Sequence, residues 1–391
     1  MLAERILSVQ RSPFYSIMDL AAKRGNCIYL HLGEPDFTTP KHIIEAAQRA
    51  LEEGHTHYGP DRGIPDLRQL IAEKIQKQYG TAYNWEDEIL ITAGGQAGLH
   101  IAVMALANPG DEIIILIPYY PPYLVNAQLA GAKPVFVELK SEEGFIPDPL
   151  AIEKAITPKT KALIILSPNN PTGSVYSEDT LERIVEIALQ RNIIVISDEV
   201  YECFVYDGLQ HKSLISFPKA KDHVIQVNSF SKIYAMTGLR VGYMAASSEK
   251  IFQFLKYHHT VNISANVPAQ MACVTAMKGP QDSVDEMRKA YQKRRDLLVE
   301  MLNDIPGIHC STPKGAFYVF ADIRDLSIPS LEFVQYLVKE AGVVLTNGSG
   351  FGCEGFVRVS YAANLKSIEE AMKRMKKAVI GLPSSMRKRH P

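Results

Sequence analysis

"KALIILSPNNPTG", Lys161 to Gly173, is the stretch on which the fold turns. Ala162 to Leu166 form an unbroken apolar run that ends abruptly in Ser, Pro, Asn, Thr and Gly. A strand with one wet face alternates polar and apolar side chains. An unbroken run bounded by turn residues suits a strand covered on both faces, the condition of a parallel sheet between helix layers. The pattern recurs in "EILITAG", "DEIIILIP", "NIIVISDEV", "HVIQVNSF" and "VGYMAA" from about residue 90 to 246, with helix-like segments between. The expected architecture is an α/β domain with a mostly parallel sheet sandwiched by helices.

Between two of these runs Ser177 is a candidate cap for a helix whose Leu181, Ile184, Val185 and Ala188 share one face, with Glu178 and Asp179 near its positive end. Ser367 with Glu370, and Ser283 with Glu286, match the capping-box spacing and are expected to open two further helices, the second reaching about Leu302. Beyond residue 303 the pattern changes. "GAFYVFADI" and "GFVRVSYA" read as antiparallel strands between helices, as in a smaller α+β domain. We expect a large domain over residues 46–285, and a small domain built from 286–391 together with the N-terminal segment 1–45.

The charge balance, 42 Lys plus Arg against 43 Asp plus Glu, leaves no broad basic field for a nucleic-acid backbone. The terminal "MRKRHP" reads as a solvated tail. Five scattered cysteines without a C-x-x-C pair suggest neither a disulfide framework nor a zinc knuckle, and a cytoplasmic location is expected. No apolar stretch approaches the roughly 18 residues of a membrane span.

In open α/β sheets ligands bind beyond the carboxyl ends of the strands. Polar loops follow the runs there: "AGGQAG" at Ala93 to Gly98, "SPNNPTG", "DEVY" at Asp198 to Tyr201, and "NSFSK" at Asn228 to Lys232. The glycines of "AGGQAG" precede a helix and would aim backbone N–H groups at an anion. Ser229 and Ser231 flank Lys232, and Arg240 adds a five-donor fork suited to phosphate. A lysine held near other cations loses its proton readily and can form a Schiff base, so this combination points to a phosphorylated carbonyl compound. Taken singly, each residue has a plainer reading: the glycines as a tight turn, Lys232 as a surface charge, Asp198 as a turn residue. Tyr58 and Tyr201 read equally as core aromatics, and Arg358 as an edge-strand side chain facing water.

With "GEPDF" at Gly33 to Phe37, "HYGPDRGIPDLR" from His57, "NNPTG", "SDEVY", "SFSK" with "GLRVG", and "GFVRVSYA" around Arg358, the chain resembles the class I/II aminotransferases of fold type I over nearly its whole length. That resemblance implies pyridoxal phosphate as cofactor, Lys232 as the Schiff-base lysine, and Asp198 as partner of the pyridine nitrogen. Asn170 and Tyr201 then face the ring's phenolic oxygen. Gly95, Gln96, Ser229, Ser231 and Arg240 fall at the phosphate, Tyr120 stacks on the ring where many relatives carry Trp or Phe, and Tyr58 reaches the phosphate of a neighbouring subunit in a homodimer. Arg358 is implied as the clamp for the substrate α-carboxylate, with Gly33 making a backbone contact nearby. The implied reaction moves an amino group between an L-amino acid and a 2-oxo acid with ping-pong kinetics.

Aspartate-selecting relatives often carry a basic residue at a position that aligns near Val261, and no Arg or Lys occurs between His258 and Gln270. Neutral, aromatic or broad substrates are therefore expected, with Phe14, Tyr15, Tyr120, Tyr123 and Phe351 as apolar lining. An aspartate-type transaminase and a β C–S lyase on the same fold are the alternatives. "GSGFG" at Gly348 to Gly352 is not a nucleophile elbow, and His55, His57, His258 and His259 lack a metal-ligand pattern.

Overall fold

The structure is a computed structural model and describes residues 2–7, 9, 14–383 and 386. The basic tail at 387–391 and the side chain of Phe14 lie outside the described residues. In chain order the described strands are β1 (Ile28–Tyr29), β2 (Ile89–Thr92), β3 (Glu112–Ile117), β4 (Lys133–Glu138), β5 (Thr160–Leu166), β6 (Ile194–Asp198), β7 (Val224–Ser229), β8 (Gly242–Ala245), β9 (Tyr318–Asp322), β10 (Val343–Val344), β11 (Thr346–Asn347) and β12 (Phe356–Ser360).

Seven of them form one sheet in the order β2-β8-β7-β6-β5-β3-β4. It is parallel from β4 through β7, and only β8 runs against its neighbours β2 and β7. The unbroken apolar runs follow from burial on both faces. Leu90, Ile113, Ile115, Ile164, Ile196, Ile225 and Met244 enter one hydrophobic core, and Ile89, Ile91, Ile114, Leu163, Ile165, Val195 and Ala245 enter another. β4 escaped the sequence reading. It is an edge strand with mostly half-exposed residues, Pro134 and charged ends, so it lacks the apolar run of a central strand.

Ser177 caps the helix Glu178–Arg191, accepting from the Thr180 N–H. The other two boxes are corrected. Helix Leu365–Ile380 starts earlier than expected and is capped by Asn364, whose side chain accepts from Ser367 N at 2.9 Å, so Ser367 lies inside the first turn. Helix Asp282–Asn303 begins after Gln281 and likewise contains Ser283. Asn and Ser both cap well, and the spacing rule alone does not choose between two candidates one turn apart.

β9 and β12 pair antiparallel, with Arg358 opposite Phe320, and β11 flanks β12. The N-terminal segment reaches the same region: β1 pairs in parallel with β10, and helix Phe14–Arg24 packs on helix Ser330–Ala341. No described helix is long and apolar enough to cross a membrane.

Candidate active site

Because β8 is reversed, its N-terminal end meets the C-terminal ends of β2, β5, β6 and β7 along one edge of the sheet. Gly242 lies opposite both Thr92 and Ser229. Arg240, two residues before β8, is thereby delivered to the edge where the polar loops emerge. These loops enclose a cavity of about 300 Å³. Gly33, Gly95, Gln96, Tyr120, Asn170, Asp198, Tyr201, Ser229, Ser231, Lys232, Arg240 and Arg358 all line it. Tyr58 does not: it is 81% exposed and borders a separate surface hollow with His55, Asn266 and Val267.

At one end of the cavity Gly94, with φ of 81°, turns the chain into helix Gly95–Leu106. A Cβ on Gly94 would clash with an Arg240 guanidinium nitrogen, and one on Gly242 would lie 2.5 Å from Gly95 N. Glycine at 94 leaves room for the guanidinium beside the start of the helix, and glycine at 242 lets β8 close on the backbone there. Ser229 caps the turn Phe230–Ile233 by accepting from Ser231 N, and its hydroxyl donates to Ser231 Oγ at 2.9 Å. Arg240 donates to Thr237 O at 2.9 Å, and Gln96 Oε1 is buried with no hydrogen-bond partner among the described residues. Two hydroxyls, a guanidinium and the first N–H groups of a helix together suit a phosphate dianion.

Lys232 sits at the centre, its ammonium donating to Gly33 O. Burial pulls its pKa down to about 8, with Arg240 and Arg358 acting in the same direction and Glu34 opposing. Asp198, at the end of β6, is 3% exposed, and burial raises its carboxyl to about 6. Its Oδ2 accepts from Tyr123 OH at 2.7 Å. A lysine that readily becomes neutral opposite a buried carboxylate fits both ends of a pyridoxal ring. The donor set thus suits the whole group: Ser229, Ser231 and Arg240 would take a phosphate, Lys232 an aldehyde and Asp198 a ring nitrogen.

Arg358 is 8% exposed on β12. It donates to Asn170 Oδ1 at 2.8 Å and to His31 O at 2.6 Å, and lies 4.4 Å from the Tyr318 ring centroid and 4.9 Å from that of Phe351. Its Nε is buried without a hydrogen-bond partner, and among the described residues no carboxylate forms an ion pair with it. A desolvated guanidinium so placed is a strong receptor for a carboxylate entering the cavity. Burial, then Arg358, lowers the pKa of neighbouring His31 to about 4, which keeps a second positive charge from the clamp.

Of the residues expected to give apolar lining, the Phe14 side chain lies outside those described, and of the other four Tyr120 contributes. Tyr123 is 4% exposed and turns its hydroxyl to Asp198, Phe351 is buried beside Arg358, and Tyr15 stands half exposed outside the cavity. Tyr318, which the sequence reading missed, lines the cavity and shares a 2.8 Å hydrogen bond with Tyr201 OH. Its strand was legible, but nothing local tied its ring to Arg358. Elsewhere Glu199, Glu202 and His211 bring ligand atoms within 4.8 Å of one another. Those carboxylates are engaged, Glu199 by Ser197, Ser213, His211 and Gln226, and Glu202 by Lys74 and Tyr79.

A sequence model of the family described as aminotransferase class I and II matches residues 25–375. An aspartate aminotransferase of Pyrococcus horikoshii is 41% identical over 97% of each chain. An aromatic-amino-acid aminotransferase of Thermococcus litoralis is 40% identical over 97% of this chain and 98% of its own. The solved structure of a Thermus thermophilus aspartate aminotransferase single mutant superposes with a TM-score of 0.93 at 37% identity, covering 97% of this chain and 99% of that one.

Proposed function

The chain belongs to the class I and II aminotransferases, enzymes that use pyridoxal phosphate, and on that premise we propose how its own residues divide the work and which amino acids it takes. Pyridoxal phosphate bound in the cavity would supply an electron-withdrawing ring able to delocalise the charge developed at the substrate Cα. Arg358 grips the substrate α-carboxylate through two parallel N–H donors, with the Gly33 backbone beside it, and so orients the Cα–H bond. Lys232, neutral in part near pH 8, would hold the cofactor and, with its amine free, would move the Cα proton. Asp198 would hold the proton on the ring nitrogen. Asn170 and Tyr201 would donate to the phenolic oxygen, Tyr120 would stack on the ring, and Gly95, Gln96, Ser229, Ser231 and Arg240 would hold the phosphate.

The observation that carries the substrate reading is the count of cations. Among the described residues Lys232, Arg240 and Arg358 are the only Lys or Arg side chains lining the cavity, and the cofactor and the α-carboxylate would engage all three. None is left for a second carboxylate, which favours neutral, aromatic or broad amino-acid donors. The aspartate aminotransferase among the relatives supports a second reading, in which a dicarboxylate is held by a group outside this lining. A donor screen against one 2-oxo acid separates them. Higher kcat/KM for phenylalanine, tyrosine or leucine than for aspartate bears out the first, and strict preference for aspartate the second; pyruvate with ammonia from cysteine conjugates marks a C–S lyase instead.

A two-fold homodimer that brings Tyr58 to the other subunit's phosphate, a cytoplasmic location, and a division into a large domain at 46–285 and a small domain from 1–45 and 286–391 complete the proposal. The exposure of Tyr58 supports the first of these.

A further inference from the structure

Asp198 is held by more than its strand. Tyr123 stands one turn beyond Tyr120, on the helix Pro122–Leu129, and is 4% exposed. The Tyr120 ring meets it edge-on at 5.5 Å and 83°, while Asn126, one turn further along, bonds His100 Nδ1 at 3.1 Å and ties that helix to helix Gly95–Leu106. The phenol is therefore clamped, and its hydroxyl donates to Asp198 Oδ2 at 2.7 Å. Among the described residues the other carboxylate oxygen receives only a long contact from Val200 N, at 3.4 Å. One strong donor thus sets both the rotation of the carboxylate and the charge it retains when buried.

We propose that Tyr123 is a positioning residue that acts through Asp198, fixing the carboxylate so that its free lone pairs face the cavity and controlling how firmly the cofactor's ring nitrogen keeps its proton. Without the phenol, the carboxylate is a stronger base and free to rotate, and it competes with the ring for that proton. The proposal rests on the reading of Asp198 as partner of the ring nitrogen. A plain alternative exists, in which the hydroxyl is a buried polar group that has found an acceptor.

The test uses holoenzyme loaded with pyridoxal phosphate carrying 15N in the ring, in wild type, Tyr123→Phe, Asp198→Asn and the double variant. The 15N resonance and the cofactor dissociation constant are measured. In Tyr123→Phe the resonance is expected to move part of the way toward that of a neutral pyridine, and the cofactor to bind about tenfold more weakly. Asp198→Asn is expected to give the larger shift, and adding Tyr123→Phe to it no further change, since a residue acting through Asp198 is silent once the carboxylate is gone. A wild-type resonance and affinity in Tyr123→Phe, alongside a shifted Asp198→Asn, overturns the role of Tyr123 and leaves the reading of Asp198 intact. A wild-type resonance in Asp198→Asn overturns both. Should Tyr123→Phe not fold, a fluorinated tyrosine at position 123 keeps the ring and hydroxyl while strengthening the donor. It is expected to displace the resonance in the opposite sense, and no displacement overturns the proposal.

Discussion

Lys232 is the residue in which composition, position and electrostatics converge. Its amine is reactive only when neutral, and burial lowers its pKa from 10.5 to about 8. The sign follows directly. The rate at which the cofactor-free chain captures pyridoxal phosphate should climb about tenfold per pH unit below 8 and flatten above it, whereas an ordinary lysine would keep climbing toward 10.5. Borohydride trapping against pH measures this, and Lys232→Ala should trap nothing. For Arg358, replacement by lysine keeps the charge and loses the planar fork. Arg358→Lys should cut kcat/KM by about 10- to 100-fold, mainly through KM, as steady-state kinetics would record. Both residues were legible because each sits in a contiguous motif at a strand end or within a strand. The Tyr123–Asp198 bond was not: 75 residues separate its partners, and no local pattern joins them.

At the scale of elements, the strands were readable and the helix starts less so. An unbroken apolar run has one physical meaning when turn residues bound it, and six such runs became β2, β3, β5, β6, β7 and β8. A capping box is a weaker guide, since polar residues one turn apart compete for the same role. Asn364, not Ser367, accepts the N–H bond at the start of helix Leu365–Ile380. Asn364→Ala should therefore lower stability by about 1 kcal/mol and Ser367→Ala by only a few tenths, read from urea unfolding midpoints. Equal losses would argue against the cap assigned here. Gly242 imposes a harder constraint: a methyl group there would meet Gly95 N at 2.5 Å and force apart the two loops that shape the phosphate end.

For the molecule as a whole, a few bonds tie together chain segments distant in sequence, and two of them, both buried, meet at the cavity. Arg358 binds the N-terminal segment through His31 O and the "NNPTG" loop through Asn170, and Arg294 pairs with Asp36 at 2.7 Å. The dimer proposed above predicts a solution mass about twice 43.5 kDa. It also predicts that Tyr58→Phe weakens cofactor binding without changing that mass, measurable by sedimentation together with cofactor titration. A monomeric, fully active chain would refute it.

The sequence by itself determined that a sheet is buried on both faces, that its polar loops emerge at the carboxyl ends, and that a lysine, an aspartate and two arginines stand in motifs that resemble those of one family. Those features are written in local periodicity and contiguous motifs, which survive without knowledge of any distant contact. Only the tertiary structure decided that β8 runs backwards and so carries Arg240 to the cavity, that Tyr123 holds Asp198, and that Tyr318 and Phe351 flank Arg358. A buried polar group must find a partner, but which partner it finds is set by distance in space, and one-dimensional order does not record that distance.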